Sequence, residues 1–350
     1  RQVGKTTAVT QQLNLPNTFY ASADESFGLG GSWIQAQWQN AWIQNGPSSI
    51  LILDEIQKVE GWSQQIKTLW DSSIRDKKQM KLVLLGSSSL ELYSGAQDSL
   101  AGRFERIAVP HWGFLEMNEA FGLTLEDYLC YGGYPAYVRF QKDSARWWEY
   151  FDQSIVNAVI EKDILRFRAV KSPALFRQCF DLFCHYPAQA MSYQKFLGQL
   201  QEQGNVELIK RYLMLFQSAF LLAPLQKWSG SAQRKIASSP KVIPLAPALS
   251  GRLIPEIEEG RLFEAAVGVV LYHASLMIHY WSHEGYEIDF VVVIGKDVFA
   301  IEVKSGRKKL AKSLDVFKRQ FPKSKSVFIT KENFTDFCKH PKEWLQMYSI

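Results

Sequence analysis

The sequence is poor in cysteine and in charge. Its four cysteines (Cys130, Cys179, Cys184 and Cys338) include no C-x-x-C pair and no metal-binding spacing. That excludes a disulfide scaffold and a cysteine-held zinc, and leaves reduced thiols in a cytoplasmic protein as the expectation. The net charge is only +5 over 350 residues. Such a balance permits a nucleic-acid partner without arguing for one, since a local basic patch matters more than the total. A long uninterrupted apolar run is also missing. The most apolar stretch, Phe263 to Trp281, contains Glu264, His273, Ser275 and His279, so a buried helix leading into a strand is expected there and no membrane partner. No signal peptide is expected from the opening residues. Residue 1 is arginine, and the next five residues read as the middle of a motif, so a preceding segment is expected.

What is present is ordinary globular material: 47% hydrophobic and 21% charged residues, in a chain long enough for two or three domains. Arg1 to Thr6 read R-Q-V-G-K-T. A phosphate-binding loop requires G-x-x-x-x-G-K-[ST], in which backbone N–H groups wrap phosphates, the lysine meets the outer ones and the hydroxyl holds Mg²⁺. Gly4, Lys5 and Thr6 supply its last three positions, with Thr7 beside them as a further nucleotide contact. The first glycine would lie two residues before Arg1, so a chain starting at Arg1 is expected to bind ATP less well than one carrying the whole loop.

Ser49 to Glu55 read S-I-L-I-L-D-E. Consecutive branched apolar residues suit a parallel strand buried on both faces. Asp54 then stands at the strand's C-terminal edge, where open α/β sheets bind ligands. In a Walker B strand such an aspartate holds the Mg²⁺ that Thr6 also reaches, and the following glutamate, Glu55, polarises the attacking water. The alternative is an acidic pair capping a helix. A further strand, Lys81 to Leu85, ends in Gly86-Ser87-Ser88-Ser89, where Ser87 or Ser88 could orient that water or form only a turn. Arg103, in Ser99-Leu100-Ala101-Gly102-Arg103-Phe104, is either a γ-phosphate arginine, of its own or a neighbouring subunit, or an ordinary surface ion pair.

Together R-Q-V-G-K-T, L-D-E-I-Q-K-V-E-G-W, G-S-S-S-L, S-L-A-G-R-F and Y-G-G-Y-P (Tyr131 to Pro135) closely resemble a family of prokaryotic AAA+-type ATPases. In that family the ATPase domain precedes a C-terminal domain of unknown function. The resemblance spans nearly the whole chain. It implies Lys5 and Thr6 as ATP contacts, Asp54 and Glu55 as the Mg²⁺ and water residues, and Arg103 as a motif arginine of open role.

From Ala145 to Tyr186 apolar residues recur at helical spacing, as in Ile155, Val159, Ile160 and Ile164. Arg166, Arg168 and Lys171 are expected on a solvated face. Ser192 is expected to cap a helix from Tyr193 to Gln203, and Asn205 a second from Val206 to Phe220. Two short helices about a glycine turn have the form of a helix-turn-helix. Leu221 to Leu245 would then form a strand pair about Ser229-Gly230-Ser231, in the position of a wing. Lys210 and Arg211 could face DNA phosphates, or the helices could make only protein contacts.

Asp289 to Lys304 read D-F-V-V-V-I-G-K-D-V-F-A-I-E-V-K. A glycine opening a two-residue loop suits a type II′ hairpin. Ile294 then pairs with Asp297, which sets Asp289 opposite Glu302 with Cβ atoms roughly 5 Å apart, suitable for sharing a metal ion. Lys304 lies on the same face as Glu302. The preceding helix, Leu262 to Tyr272, adds one acid, Glu264. This set resembles the PD-(D/E)xK nuclease fold, which implies Glu264, Asp289 and Glu302 as Mg²⁺ or Mn²⁺ ligands and Lys304 as the residue positioning the water. A buried salt-bridge network in an inactive relative of that fold is the alternative. Arg307, Lys308, Lys309 and Lys312 follow as a basic cluster or a solvated helix start.

The expected fold class is therefore α/β: a P-loop ATPase domain with a parallel sheet over 1–140, a helical or winged-helix region over 145–250, and a nuclease-like α/β domain over 251–350. The expected function is ATP hydrolysis coupled to metal-dependent action on DNA, with a nucleotide-switched binding protein as the alternative. ATP and Mg²⁺ are the expected cofactors, and a homo-oligomer is an open possibility.

Overall fold

The computed structural model describes residues 2–11, 17–25, 30–86, 100–165, 170, 172–201, 204–229, 239–253, 258–306 and 312–347. They belong to two compact units, Arg1–Val109 and Pro110–Ile350. Several residues of interest in the sequence lie outside the described ones: Ser87, Ser88, Arg166, Arg168, Lys171, Gly230, Ser231, Arg307, Lys308 and Lys309.

The first unit contains helix α1 (Lys5–Gln11), strand β1 (Thr18–Ser22), helix α2 (Gly31–Asn45), strand β2 (Ile50–Asp54), helix α3 (Trp62–Arg75) and strand β3 (Lys81–Leu84). The strands run parallel in the order β1-β2-β3, each parallel pair joined through a helix as that geometry requires. Leu51, Ile52 and Leu53 are buried in succession, so β2 is covered on both faces, as an unbroken apolar run demands. Trp38 and Ala41 of α2 and Trp62 and Ile66 of α3 join Leu51 and Leu53 in one core, with Trp33 packed at its edge. The centre of the sheet thereby holds the tip of β2 in a fixed place.

The second unit begins with helices α4 (Phe114–Phe121), α5 (Leu125–Tyr131) and α6 (Ser144–Tyr150). The last continues in wider π-type turns through Phe151–Val156 and Ala158–Leu165. Helices α7 (Pro173–His185), α8 (Tyr193–Leu197) and α9 (Val206–Ser218) follow. Their side-chain caps are Ser172, Ser192 and Asn205, each accepting a backbone N–H three residues on, the arrangement that satisfies an open first turn. The expected helix to Gln203 is shorter, ending at Leu197.

Strands β4 (Leu222–Lys227) and β5 (Lys241–Pro244) come next, then helices α10 (Ala248–Gly251) and α11 (Glu259–His273). Strands β6 (Met277–His283), β7 (Tyr286–Ile294) and β8 (Asp297–Lys304), helix α12 (Lys312–Gln320), strand β9 (Lys325–Thr330) and helices α13 (Lys331–Lys339) and α14 (Pro341–Met347) complete the unit. Its six strands lie in the order β5-β4-β6-β7-β8-β9. The β4–β5 pair is antiparallel, as expected, but β4 also runs parallel beside β6 through Gln226 and Lys227. The pair is therefore an edge of the sheet and not a wing standing alone. Residues expected as two domains, 145–250 and 251–350, share this one sheet. Between β7 and β8 the register is Ile294 to Asp297, closing on Gly295 and Lys296. Gly295 takes a φ of 62°, which a glycine first in a II′ turn adopts without steric cost.

Candidate functional site

The C-terminal edge of the first sheet gathers one group of polar side chains. Gly4, at φ 84°, turns the chain into α1, and its carbonyl accepts the N–H of Ala8 at 2.8 Å. In the first turn of that helix, Thr6 Oγ1 donates to Asp54 Oδ2 at 2.8 Å. Tyr20 of β1 donates its hydroxyl to the same oxygen at 2.9 Å, and the Glu55 N–H donates to Asp54 Oδ1 at 2.8 Å. Asp54 is only 4% exposed, so three neutral donors stabilise a buried carboxylate without cancelling its charge.

Glu55 leaves the strand at φ 51° and ψ 34°, a left-handed conformation that costs a non-glycine residue about 1–2 kcal/mol. This turn ends β2, and Gln57 Nε2 holds Glu55 Oε2 at 2.7 Å. Thr6 Oγ1 and Asp54 Oδ2 are two hard oxygens at 2.8 Å. Neighbouring ligands of an octahedral Mg²⁺, with bonds of about 2.0–2.1 Å, stand about 2.9 Å apart. The pair fits that ion. Thr7 is exposed on the same helix. Arg103 is placed differently: its Nε pairs with Asp71 Oδ1 of α3 at 3.2 Å, on the surface, in the ordinary ion-pair arrangement. Tyr20 does not stand out in the sequence because Thr18–Ser22 is so short a run; the alternation of Phe19 and Ala21 with polar residues is the only signal there.

The second group lies in the six-stranded sheet. Asp289 and Glu302 follow the last ladder pair, Phe290 with Ile301, so the hairpin brings them to the same end. Each carboxylate also has a partner of its own. Asp289 Oδ2 accepts the backbone N–H of Val303 at 2.7 Å, and Glu302 Oε2 takes Lys304 Nζ at 2.6 Å. Glu264 of α11 meets another lysine, Lys241, whose Nζ is 2.5 Å from Glu264 Oε1. The two form an ion contact and not an aligned hydrogen bond. Lys241 also stands 3.4 Å from Glu287 Oε1 and 3.1 Å from the Asp289 carbonyl.

Burial would lower the Lys241 pKa, but Glu264, Asp289 and Glu287 outweigh it and hold the ammonium charged. Burial raises Glu302 to about 7, with Asp289 adding to the shift and Lys304 opposing it. Burial likewise lifts Glu264 above the carboxylate range, against the pull of Lys241. Among the described residues no group of three or more His, Cys, Asp or Glu is arranged to hold a metal ion. The expected set Glu264, Asp289 and Glu302 does not fit Mg²⁺ or Mn²⁺ as it stands, because two lysines and a backbone N–H already engage one oxygen of each acid.

The remaining motif residues are structural. Gly133 of Y-G-G-Y-P has φ 102°, and a Cβ there would lie 2.5 Å from that of Ala246. The Gly132 carbonyl accepts the Ala248 N–H at 3.1 Å. The motif thus seats α5 against the segment leading into α10. Lys210 pairs with Glu207 at 2.9 Å and lies over the Tyr193 ring, which ties it within the two-helix turn.

Residues 1–118 match the family profile of an AAA domain. Residues 122–256 and 259–342 match two domains of unknown function, DUF8612 and DUF4143. The first unit is an AAA-type P-loop domain. Curated relatives include an uncharacterized protein of Mycobacterium tuberculosis, 23% identical over 285 residues, covering 74% of this chain and 59% of that protein. An uncharacterized protein of Methanocaldococcus jannaschii is 23% identical over 268 residues, covering 69% and 58%. The chain therefore spans about three fifths of the length of the curated relatives it matches. Among solved structures, the Aeropyrum pernix ORC1 protein in complex with DNA overlaps 72% of this chain and 84% of its own, at 13% identity and a TM-score of 0.25. Protein VC1899 from Vibrio cholerae overlaps 87% and 92%, at 10% identity and a TM-score of 0.21. Likenesses at these scores carry no functional weight. No helix among the described residues is long and apolar enough to cross a membrane.

Proposed function

We propose that the protein is an ATP-driven switch: the AAA-type unit binds and hydrolyses ATP, and the second unit binds a partner according to the nucleotide state without cutting it. The hydrogen bond of 2.8 Å between Thr6 and Asp54 carries the first half of this reading. Two residues 48 positions apart meet there in the geometry of neighbouring Mg²⁺ ligands. Thr6 and Asp54 would hold the ion, which supplies charge neutralisation on the phosphates. Lys5, opening α1, meets the outer phosphates as a point charge. Glu55, turned out at the tip of β2, accepts a proton from the attacking water.

Lys241 supports the second half. A nuclease centre needs carboxylates free to bind metal, and here Glu264 is engaged by an ammonium. Metal-dependent cleavage of DNA is the second reading, favoured by the hairpin that sets Asp289 and Glu302 at one strand end. Assays of the full-length protein separate the parts. ATP hydrolysis that disappears in Asp54→Asn is expected; turnover unchanged in that variant would remove the ATPase assignment. Incubation with DNA and Mn²⁺ should leave the DNA whole, and cleavage lost in Glu302→Gln would replace the binding role with the nuclease one.

A further inference from the structure

Lys241 is fully buried, which is rare for a lysine and costly unless the ammonium is paired. It heads β5, a strand in the segment preceding the residues that supply the acids. Its ammonium reaches Glu264 on α11, and both Glu287 and the Asp289 carbonyl on β7. It also lies 5.2 Å from the centre of the Phe290 ring. All of its oxygen partners are hard donors of the kind that bind divalent cations.

Among the described residues, acids outnumber cations around it. Glu264, Glu287, Asp289 and Glu302 bring four carboxylates, against Lys241 and Lys304 as the facing cations. One oxygen of this set, Glu302 Oε1, is buried with no hydrogen-bond partner among the described residues, in a residue only 3% exposed. A buried carboxylate oxygen without a partner, among other carboxylates, is a site with unspent affinity for a cation.

We infer that Lys241 is a built-in counter-ion standing where a divalent cation would otherwise bind, so that removing its ammonium converts Glu264, Asp289 and Glu302 into a metal site. This rests on the reading of the second unit as non-cutting and explains it: a tethered ammonium is always at hand, so a free ion must displace it to bind. Replacing the lysine with methionine keeps most of the length of the side chain and deletes the charge. Glu264 is then left without its facing cation, and a divalent ion satisfies Glu302 Oε1 as well.

The test is the thermal unfolding of the full chain with and without Mn²⁺. The parent is expected to melt at the same temperature in both. Lys241→Met should melt lower in the absence of metal and rise with added Mn²⁺, because an ion that binds only the folded state raises its stability by mass action. Lys241→Met combined with Glu264→Gln removes one charge of each sign; it should melt above the single variant and ignore Mn²⁺. Should the single variant be unfolded without metal, circular dichroism should show it folding as Mn²⁺ is added. A single variant that is blind to Mn²⁺, or that stays unfolded in it while the double variant folds, overturns the inference. So does a parent stabilised by Mn²⁺ as strongly as the variant. DNA cleavage by the parent is scored separately and bears on the non-cutting role, not on the metal response of Lys241→Met.

Discussion

The two sheets of this protein each hold acids at a strand end, and they neutralise them in opposite ways. Asp54 is surrounded by the hydroxyls of Thr6 and Tyr20 and by a backbone N–H. Such donors lower the energy of the carboxylate but leave its charge in place, and a threonine hydroxyl has lone pairs to share with an ion. Glu264 and Glu302 are met by Lys241 and Lys304, which cancel charge and have no lone pair to offer. The first arrangement keeps a place for Mg²⁺. The second puts cations where such an ion would stand. Counting carboxylates therefore says little about metal binding until their donors are known.

The comparison breaks most sharply at Glu55. If the first edge hydrolyses ATP, Glu55→Gln in the full-length protein should lower the hydrolysis rate by about 10²–10⁴-fold, the usual contribution of a general base. Binding of a fluorescent ATP analogue should be retained, since the role proposed for the residue is on the attacking water and not on the phosphates. Lys5→Ala should show the reverse order of effects, with lost affinity first. Unaltered turnover in the Glu55 variant would reduce its carboxylate to a partner of Gln57.

At the second site the largest effect should be on stability. Lys241→Met leaves Glu264 beside Asp289 and Glu287 with no ammonium among them, and breaking a buried ion pair from one side costs about 3–5 kcal/mol. Protonation of Glu264 relieves part of that cost, so chemical denaturation should show a smaller penalty at acid pH than at neutral pH. A loss that does not depend on pH would mean that the lysine mainly fills space.

How strongly the second unit excludes water can be read from His273, on the same helix as Glu264. Burial lowers its pKa from 6.5 to about 4, although its place in the last turn of α11 would by itself favour the charged form. The unfolded chain therefore binds the proton more readily than the folded one between those values. Stability is complete above about pH 6.5 and is lost as the pH falls towards 4. Because the residue is only partly buried, the loss should be about 1–2 kcal/mol, less than the full shift implies. His273→Gln should remove that part of the acid sensitivity in urea titrations across the window; an unchanged profile would place the ring in water.

Much of this contrast is legible in the residues. The apolar run ending in Asp54 and Glu55 locates β2, and Gly295-Lys296 sets the hairpin register that the structure has. Local patterns carry both. The strand pair 222–227 and 241–244 is readable as a pair, but its neighbour β6 lies about fifty residues on from the first of them, and no period in the sequence points across that gap. Lys241 is hard to single out for the same reason: its carbonyl partner, Asp289, is 48 residues away. A lysine opening the buried run V-I-P-L-A is the available clue, since a lysine in such a place must meet an acid. The surface pairing of Arg103 with Asp71 is an open alternative in the sequence and needs the placement of α3 to be seen.

The smallest expected effect concerns Tyr20, and it is the finest test of neutral donation at the first edge. Tyr20→Phe removes one hydrogen bond to Asp54 Oδ2 and keeps the ring. Asp54 retains Thr6 and the Glu55 N–H, so the loss of stability should be about 1 kcal/mol or less. The functional effect has a definite direction. Thr6 must give up its bond to Asp54 Oδ2 when both residues bind an ion, and Tyr20 is then the hydroxyl that still orients this carboxylate. The variant should therefore need more Mg²⁺ for half-maximal ATP hydrolysis while its rate at saturating Mg²⁺ is nearly unchanged. A fall in the saturated rate with no change in the Mg²⁺ requirement would instead place the tyrosine with the reacting groups.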